Sequence, residues 1–119
     1  MEDRQAIRDI SLDYIEGWYS ADASRINRAL SSHLAKRRIV SPTEIWHVDK
    51  PWMVQATSEG KGKIDDSRTG KKDITILDQT ETMASVKIVS EKFVDYLHLS
   101  KCAGEWSIVN VLWDYVGDS

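Results

Sequence analysis

Asp95 is the residue whose setting could do chemistry. It sits in Phe93-Val94-Asp95-Tyr96-Leu97-His98-Leu99, a stretch that alternates as a β-strand does. Its own face carries Phe93, Leu97 and Leu99. A carboxylate among apolar neighbours holds its proton to higher pH, because burial disfavours the charged form, and that suits it to proton transfer. The next strand-like stretch, Trp106 to Tyr115, follows across Ala103-Gly104. A register that keeps apolar faces together brings Asn110 opposite Asp95 or one pair away, so Asn110 is a second inward polar candidate. Tyr14 and His33 lie in the helical part of the chain that should cover this face. Asp95, His33 and Tyr14 thus form a candidate catalytic set, with Asp95 as general base and Tyr14 or His33 as oxyanion or proton partner. Two plainer readings stand beside it. Asp95 is buried and satisfied by Asn110, Tyr14 or a backbone N–H, or it lies at a pocket mouth in water.

Other chemistries lack their residues. His33, His47 and His98 are far apart without ligand spacing and Cys102 does not join them, so no metal site is expected. Gly60 and Gly62 fall in a Lys-rich polar stretch rather than between a strand and a helix, and no nucleophile elbow is present. No cofactor motif follows. Lys plus Arg is 16 against 19 Asp plus Glu, a net charge of −3, which disfavours nucleic acid as a partner. The one basic run, Lys36-Arg37-Arg38, stands beside Ile39-Val40 and reads as a strand edge or solvated face. A single cysteine excludes an intrachain disulfide and fits a reducing cytoplasm. The polar start, Met1-Glu2-Asp3-Arg4-Gln5, has no apolar signal-peptide core. No apolar run approaches the roughly 20 residues that span a bilayer, so no membrane partner is expected.

The elements that must position these residues follow from periodicity. Ile7, Ile10, Tyr14 and Trp18, with Ile15 beside them, recur at helical steps, and Gly17 lies near the end of that helix. Asp22 caps a second helix carrying Ile26, Ala29 and Leu30, with His33 and Leu34 continuing the same face. Short strands are expected at Lys36–Val40 and Ile45–Val48. Asp49-Lys50-Pro51 opens a third helix with Trp52, Met53, Ala56 and Thr57. Gly60 to Asp73 is a polar surface loop. Ile74–Leu77, Ala84–Val89, Phe93–Leu99 and Trp106–Tyr115 are β-branched and aromatic, with turn residues between them, and form an antiparallel meander. Helices first and strands later give an α+β domain, one domain over residues 1–119, with helices on one face of a curved sheet.

Strict alternation along the last strand puts Trp106, Ile108, Asn110 and Leu112 on one face and Val109, Val111, Trp113 and Tyr115 on the other. Both faces are apolar, so both are covered. The second cover has no owner in this chain, which predicts a homodimer through Tyr96, His98, Val109, Val111 and Trp113.

Five stretches together resemble a known family. They are Asp13-Tyr14-Ile15-Glu16-Gly17-Trp18-Tyr19 with Asp22; Ile26 through Arg37; Ala84-Ser85-Val86-Lys87-Ile88; Phe93 through Leu99; and Gly104-Glu105-Trp106-Ser107-Ile108-Val109-Asn110. Their order and spacing resemble the putative lumazine-binding family of the nuclear-transport-factor-two-like superfamily, which includes ketosteroid isomerase and SnoaL-like cyclases. The resemblance covers about Tyr14 to Trp113. It implies a cone-shaped barrel of strongly curved, mixed, mainly antiparallel sheet wrapped around three N-terminal helices, a pocket in the cone, and homodimers through the outer sheet face.

Three functions follow from these readings. The first is a domain binding a small aromatic or apolar ligand through Tyr14, Trp18, Trp46, Trp52, Met53 and Asn110, most of them large and apolar. The second is an acid–base isomerase, cyclase or dehydratase using Asp95. The third is a dimeric interaction module without chemistry. The five tryptophans divide accordingly: Trp106 for the core, Trp113 for pairing, and Trp18, Trp46 and Trp52 for the pocket mouth.

Overall fold

In the computed structural model, which describes residues 2–117, the chain runs α1 (Asp3–Ser20), α2 (Ala23–Ala29), β1 (Leu30–Ser41), β2 (Glu44–Val48), α3 (Lys50–Ser58), β3 (Lys72–Gln79), β4 (Met83–Ser90), β5 (Phe93–Cys102) and β6 (Glu105–Tyr115). The caps expected from sequence are in place. The Asp22 carboxylate accepts from the backbone N–H groups of Ser24 and Arg25, satisfying donors that the first turn of α2 leaves free. Asp49 accepts from the N–H of Trp52, with Pro51 in the first turn of α3. Arg25 and Arg28 both reach Asp13, which ties α2 to α1.

The second helix is shorter than its apolar pattern predicts. It stops at Ala29, and Leu30 begins a strand that carries His33 and Leu34. The cause is a distant partner. Strand β1 pairs in parallel with β6, Leu30 beside Ile108 and Lys36 beside Val111, and no local pattern signals that pairing.

The six strands form one mixed sheet in the order β2-β1-β6-β5-β4-β3. Strands β3 to β6 are the antiparallel meander read from sequence. The sheet is open, with β2 and β3 as its edges, and so is not the barrel expected. Helix α1 packs against β3, β4 and β6, and α3 against β1. Ile7, Ile15, Ile26, Val86, Ile88, Leu97, Leu99 and Ile108 form the centre of the core between these layers. Among the described residues no helix is long and apolar enough to cross a membrane.

One residue reverses the expected faces of β6. Leu99 pairs with Ile108 and His98 with Asn110, which leaves Val109 as an extra residue in the strand. A one-residue bulge moves every later side chain to the opposite face. Trp106 and Ile108 face the core, as expected. Beyond the bulge Val111 and Trp113 also face inward, opposite Leu97 and Asp95, while Asn110 and Leu112 stand opposite His98 and Tyr96. Val111 is buried in the core and Trp113 packs against it, so neither is an outer-face residue. Tyr96 and His98 are exposed, on the outer face where alternation put them. The apolar character of both sides of β6 is largely two half-strands, each turning its apolar set inward. The bulge lies near the hairpin turn at Ala103-Gly104. There both residues have positive φ, 52° and 80°, as a two-residue turn matched to strand twist requires.

Candidate functional site

A cavity of about 370 Å³ opens between α1, β1, β2, α3 and the inward faces of β5 and β6. Each wall residue comes from an element already described. Helix α1 contributes Tyr14, Ile15 and Trp18. Strand β1 contributes Lys36, Arg38 and Val40. Trp46 comes from β2, Trp52 and Met53 from α3, Phe93 and Asp95 from β5, and Trp113 and Tyr115 from β6. Lys61 lies in the loop after α3, where Gly62 is pressed against Trp18. A Cβ at Gly62 would stand 2.1 Å from the indole, so that loop can cross the ring only on a glycine.

Three of the lining residues form a buried chain. The Tyr14 hydroxyl donates to Asp95 Oδ2 at 2.8 Å, and Lys36 Nζ donates to the Tyr14 hydroxyl oxygen at 2.7 Å. All three residues are buried, Tyr14 at 3% exposure, Asp95 at 7% and Lys36 at 8%. Burial pushes the Asp95 carboxyl above its ordinary range, against the pull of the Lys36 cation and the Tyr14 hydrogen bond. Burial likewise lowers Lys36, opposed by the charge of Asp95. The Tyr14 phenol is held well above 10 by burial, and then by the neighbouring carboxylate. Tyr14 therefore keeps its proton and can relay one between amine and carboxyl. The ionised and neutral forms of the Lys36–Asp95 pair are drawn together in free energy, which is the property an acid–base group needs.

Half of the remaining wall residues are aromatic. Trp46 meets Trp52 edge-on at 5.1 Å and Trp113 at 6.0 Å, and Trp113 meets Phe93 at 5.0 Å and Tyr115 at 5.4 Å. Lys36 Nζ lies over the rings of Tyr14, Trp18 and Trp113 at 5.2 to 5.8 Å. The Arg38 guanidinium lies 4.7 Å from the Tyr115 ring centre. The buried Trp113 Nε1 has no hydrogen-bond partner among the described residues.

The structure gathers Asp95, Tyr14, Trp18, Trp46, Trp52 and Met53 in this one cavity. It does not bring His33 there. Leu34 and Lys36 point inward from β1, so alternation turns His33 outward, and it is exposed. Asn110 is also outside the cavity, because of the bulge at Val109. Its Nδ2 is 3.4 Å from His98 Nδ1, and both residues, with Val109, line a groove on the outer sheet face. The sequence reading missed Lys36 and Arg38, whose basic run it assigned to solvent. A signal was present: Leu34, Lys36, Arg38 and Val40 alternate on one strand face that begins apolar. Among the described residues no three His, Cys, Asp or Glu side chains gather as metal ligands.

Comparison with known proteins agrees with the fold. The family described as putative lumazine-binding matches residues 2–114. No curated protein matches the chain. An NTF2-like protein of unknown function from Shewanella baltica superposes with a TM-score of 0.76 at 18% identity, over 98% of this chain and 95% of that one. An NTF2-like protein of unknown function from Methylobacillus flagellatus gives 0.76 at 20% identity, over 97% and 93%. A protein of unknown function with a cystatin-like fold from Nostoc punctiforme gives 0.70 at 10% identity, over 98% and 92%.

Proposed function

The chain belongs to the putative lumazine-binding family, and on that premise we propose that it binds a small, flat, aromatic or apolar molecule in the cavity beneath α1 and α3. The observation that carries the reading is the wall itself. Seven of its fifteen lining residues are Trp, Tyr or Phe, around a space of ligand size. In the same reading the open sheet curls about the helices as a cone, with the cavity on its concave side. Copies pair through the outer face, where Tyr96 and Leu112 stay exposed.

Fluorescence titration tests the reading. Four of the five tryptophans line the cavity, so a flat ligand is expected to quench most of the emission. A panel of flavin-like, pterin-like and simpler aromatic compounds that leaves the emission unchanged would end it.

A second reading has its own observation, the Lys36–Tyr14–Asp95 chain at the cavity wall. In it Asp95 is the general base of an isomerase, cyclase or dehydratase, with Tyr14 donating to developing charge. Lys36 takes the partner role that His33 was expected to fill. Exchange of an acidic C–H proton of a bound carbonyl compound for deuterium, abolished in Asp95→Asn, is the expected signature. Binding without exchange favours the first reading.

A further inference from the structure

The polar groups around the ligand-binding cavity are unequal in sign, and this points to the class of ligand. Resting on the binding reading above, we propose that the occupant is a flat aromatic anion, an aromatic ring bearing a carboxylate or an equivalent charged oxygen group, held by Arg38 with support from Lys61.

The cavity is lined by three cationic side chains, Lys36, Arg38 and Lys61, and by one carboxylate, Asp95. Lys36 and Asp95 are joined through Tyr14 and compensate one another, whether the pair is ionised or has exchanged its proton. Arg38 and Lys61 are the surplus. This surplus occurs in a chain whose net charge is −3, so it is local and not a general basic surface. Arg38 meets one anion, Asp114, through Nε at 3.1 Å, and Asp114 is a solvated residue outside the cavity lining. The terminal guanidinium nitrogens make no hydrogen bond among the described residues. The guanidinium plane is carried by the Trp113 and Tyr115 rings, at 5.5 and 4.7 Å. An Arg fork fixed on aromatic faces is pre-organised to meet two oxygens at once, which a lysine cannot do. Of the oxygens on the lining side chains, Asp95 Oδ2 accepts from Tyr14, the Tyr14 oxygen accepts from Lys36, and Ser90 Oγ exchanges hydrogen bonds with Phe93, while Asp95 Oδ1 and the Tyr115 hydroxyl have no partner among the described residues. The Arg38 fork on its two rings is the feature that favours a charged oxygen group.

Three probes of one shape decide it: naphthoate, its uncharged amide and the corresponding naphthylmethylamine, each titrated by tryptophan fluorescence and checked by calorimetry. The carboxylate is expected to bind roughly tenfold more tightly than the amide, and the amine more weakly still. The preference should shrink as salt rises. Arg38→Gln is expected to erase most of the preference, the acid falling to within about twofold of the amide in the same variant. Lys61→Gln, on a loop whose folding does not depend on that side chain, is expected to reduce the preference by about half. An amide that binds as well as the acid, or an acid preference that survives in Arg38→Gln, overturns the charge inference and leaves the binding reading standing. Binding of none of the three overturns both.

Discussion

The inner face of the β5–β6 pair has two ends, and they differ in kind. At one end Leu97, Leu99, Ile108 and Val111 are buried in one core cluster with Ile7, and Trp106 donates its indole N–H to Asp3 at the start of α1. At the other end Asp95, Phe93, Trp113 and Tyr115 face a cavity, and one indole N–H has no partner. The same two strands run through both ends, antiparallel on either side of the Val109 bulge. What differs is the side chains opposite: branched aliphatics interdigitate and seal, whereas large rings meet edge-on and leave room between them. Among the described residues no buried side-chain nitrogen or oxygen at the sealed end lacks a hydrogen-bond partner. The open end keeps titratable and donor groups whose needs the fold does not fully meet, as expected of a site that does something other than fold.

Breaking the comparison at its pivot should have the largest effect. Val111→Asp places a charge where the bulge has turned the strand inward, so the expected result is loss of cooperative unfolding in a thermal melt, whereas Leu112→Asp, on the face that the bulge turned outward, is expected to melt as sharply as the parent. A sharp melt for Val111→Asp together with a lost one for Leu112→Asp would show that the bulge does not set the faces. Next, the ends should respond differently to truncation. Ile108→Ala at the sealed end is expected to cost about 4 kcal/mol in denaturant unfolding, the transfer loss plus a cavity that cannot collapse. Lys36→Met at the open end is expected to cost less, about 2 kcal/mol, because Asp95 can take up a proton and need not remain a stranded charge. Equal costs would contradict the division.

The smallest effect is a pH dependence. Removing Lys36 leaves Asp95 with burial and Tyr14 alone, so its carboxyl should titrate higher still, followed by carbonyl NMR. The folded chain then holds this proton to higher pH than the unfolded chain does. The stabilising contribution is complete below the ordinary carboxylate value of 3.8 and is lost as pH rises through the folded value. Lys36→Met should therefore lose stability relative to Lys36→Met/Asp95→Asn as pH rises above about 4. A constant gap between the two would mean that Asp95 is not held in a dry setting.

The same division separates what could be read from the sequence from what could not. Caps at Asp22 and Asp49, the first helix and the four-strand meander are local patterns, and they stand where the spacing put them. Asp95 was legible because a carboxylate breaks an otherwise apolar alternation. Three features were hidden because their causes are distant. Leu30 to Leu34 form strand rather than helix because β6 lies alongside. Trp113 lines the cavity because Val109 is one residue too many for the ladder, and a bulge leaves no mark on composition. Lys36 is buried because Tyr14 and Asp95, 22 and 59 residues away (36 − 14 and 95 − 36), meet it there. Three consecutive basic residues read as solvated until something far along the chain claims one of them.

The placement of β6 governs how the molecule can be made. Strand β6 follows the other five along the chain yet is third in the sheet, and among the described residues it is the one ladder joining the β1–β2 hairpin to the β3–β5 meander. Until it is made, the two halves have no hydrogen-bonded seam between them. The chain must close a loop from Lys36 to Val111 before the seam forms, an entropic step that slows folding and makes it late. Meanwhile Trp46, Trp52 and the Lys36 amine are exposed on a nascent hairpin with nothing to cover them. A ribosome that stops before Glu105 releases two incomplete sheets rather than a shortened domain, each presenting an unpaired edge of the kind that aggregates.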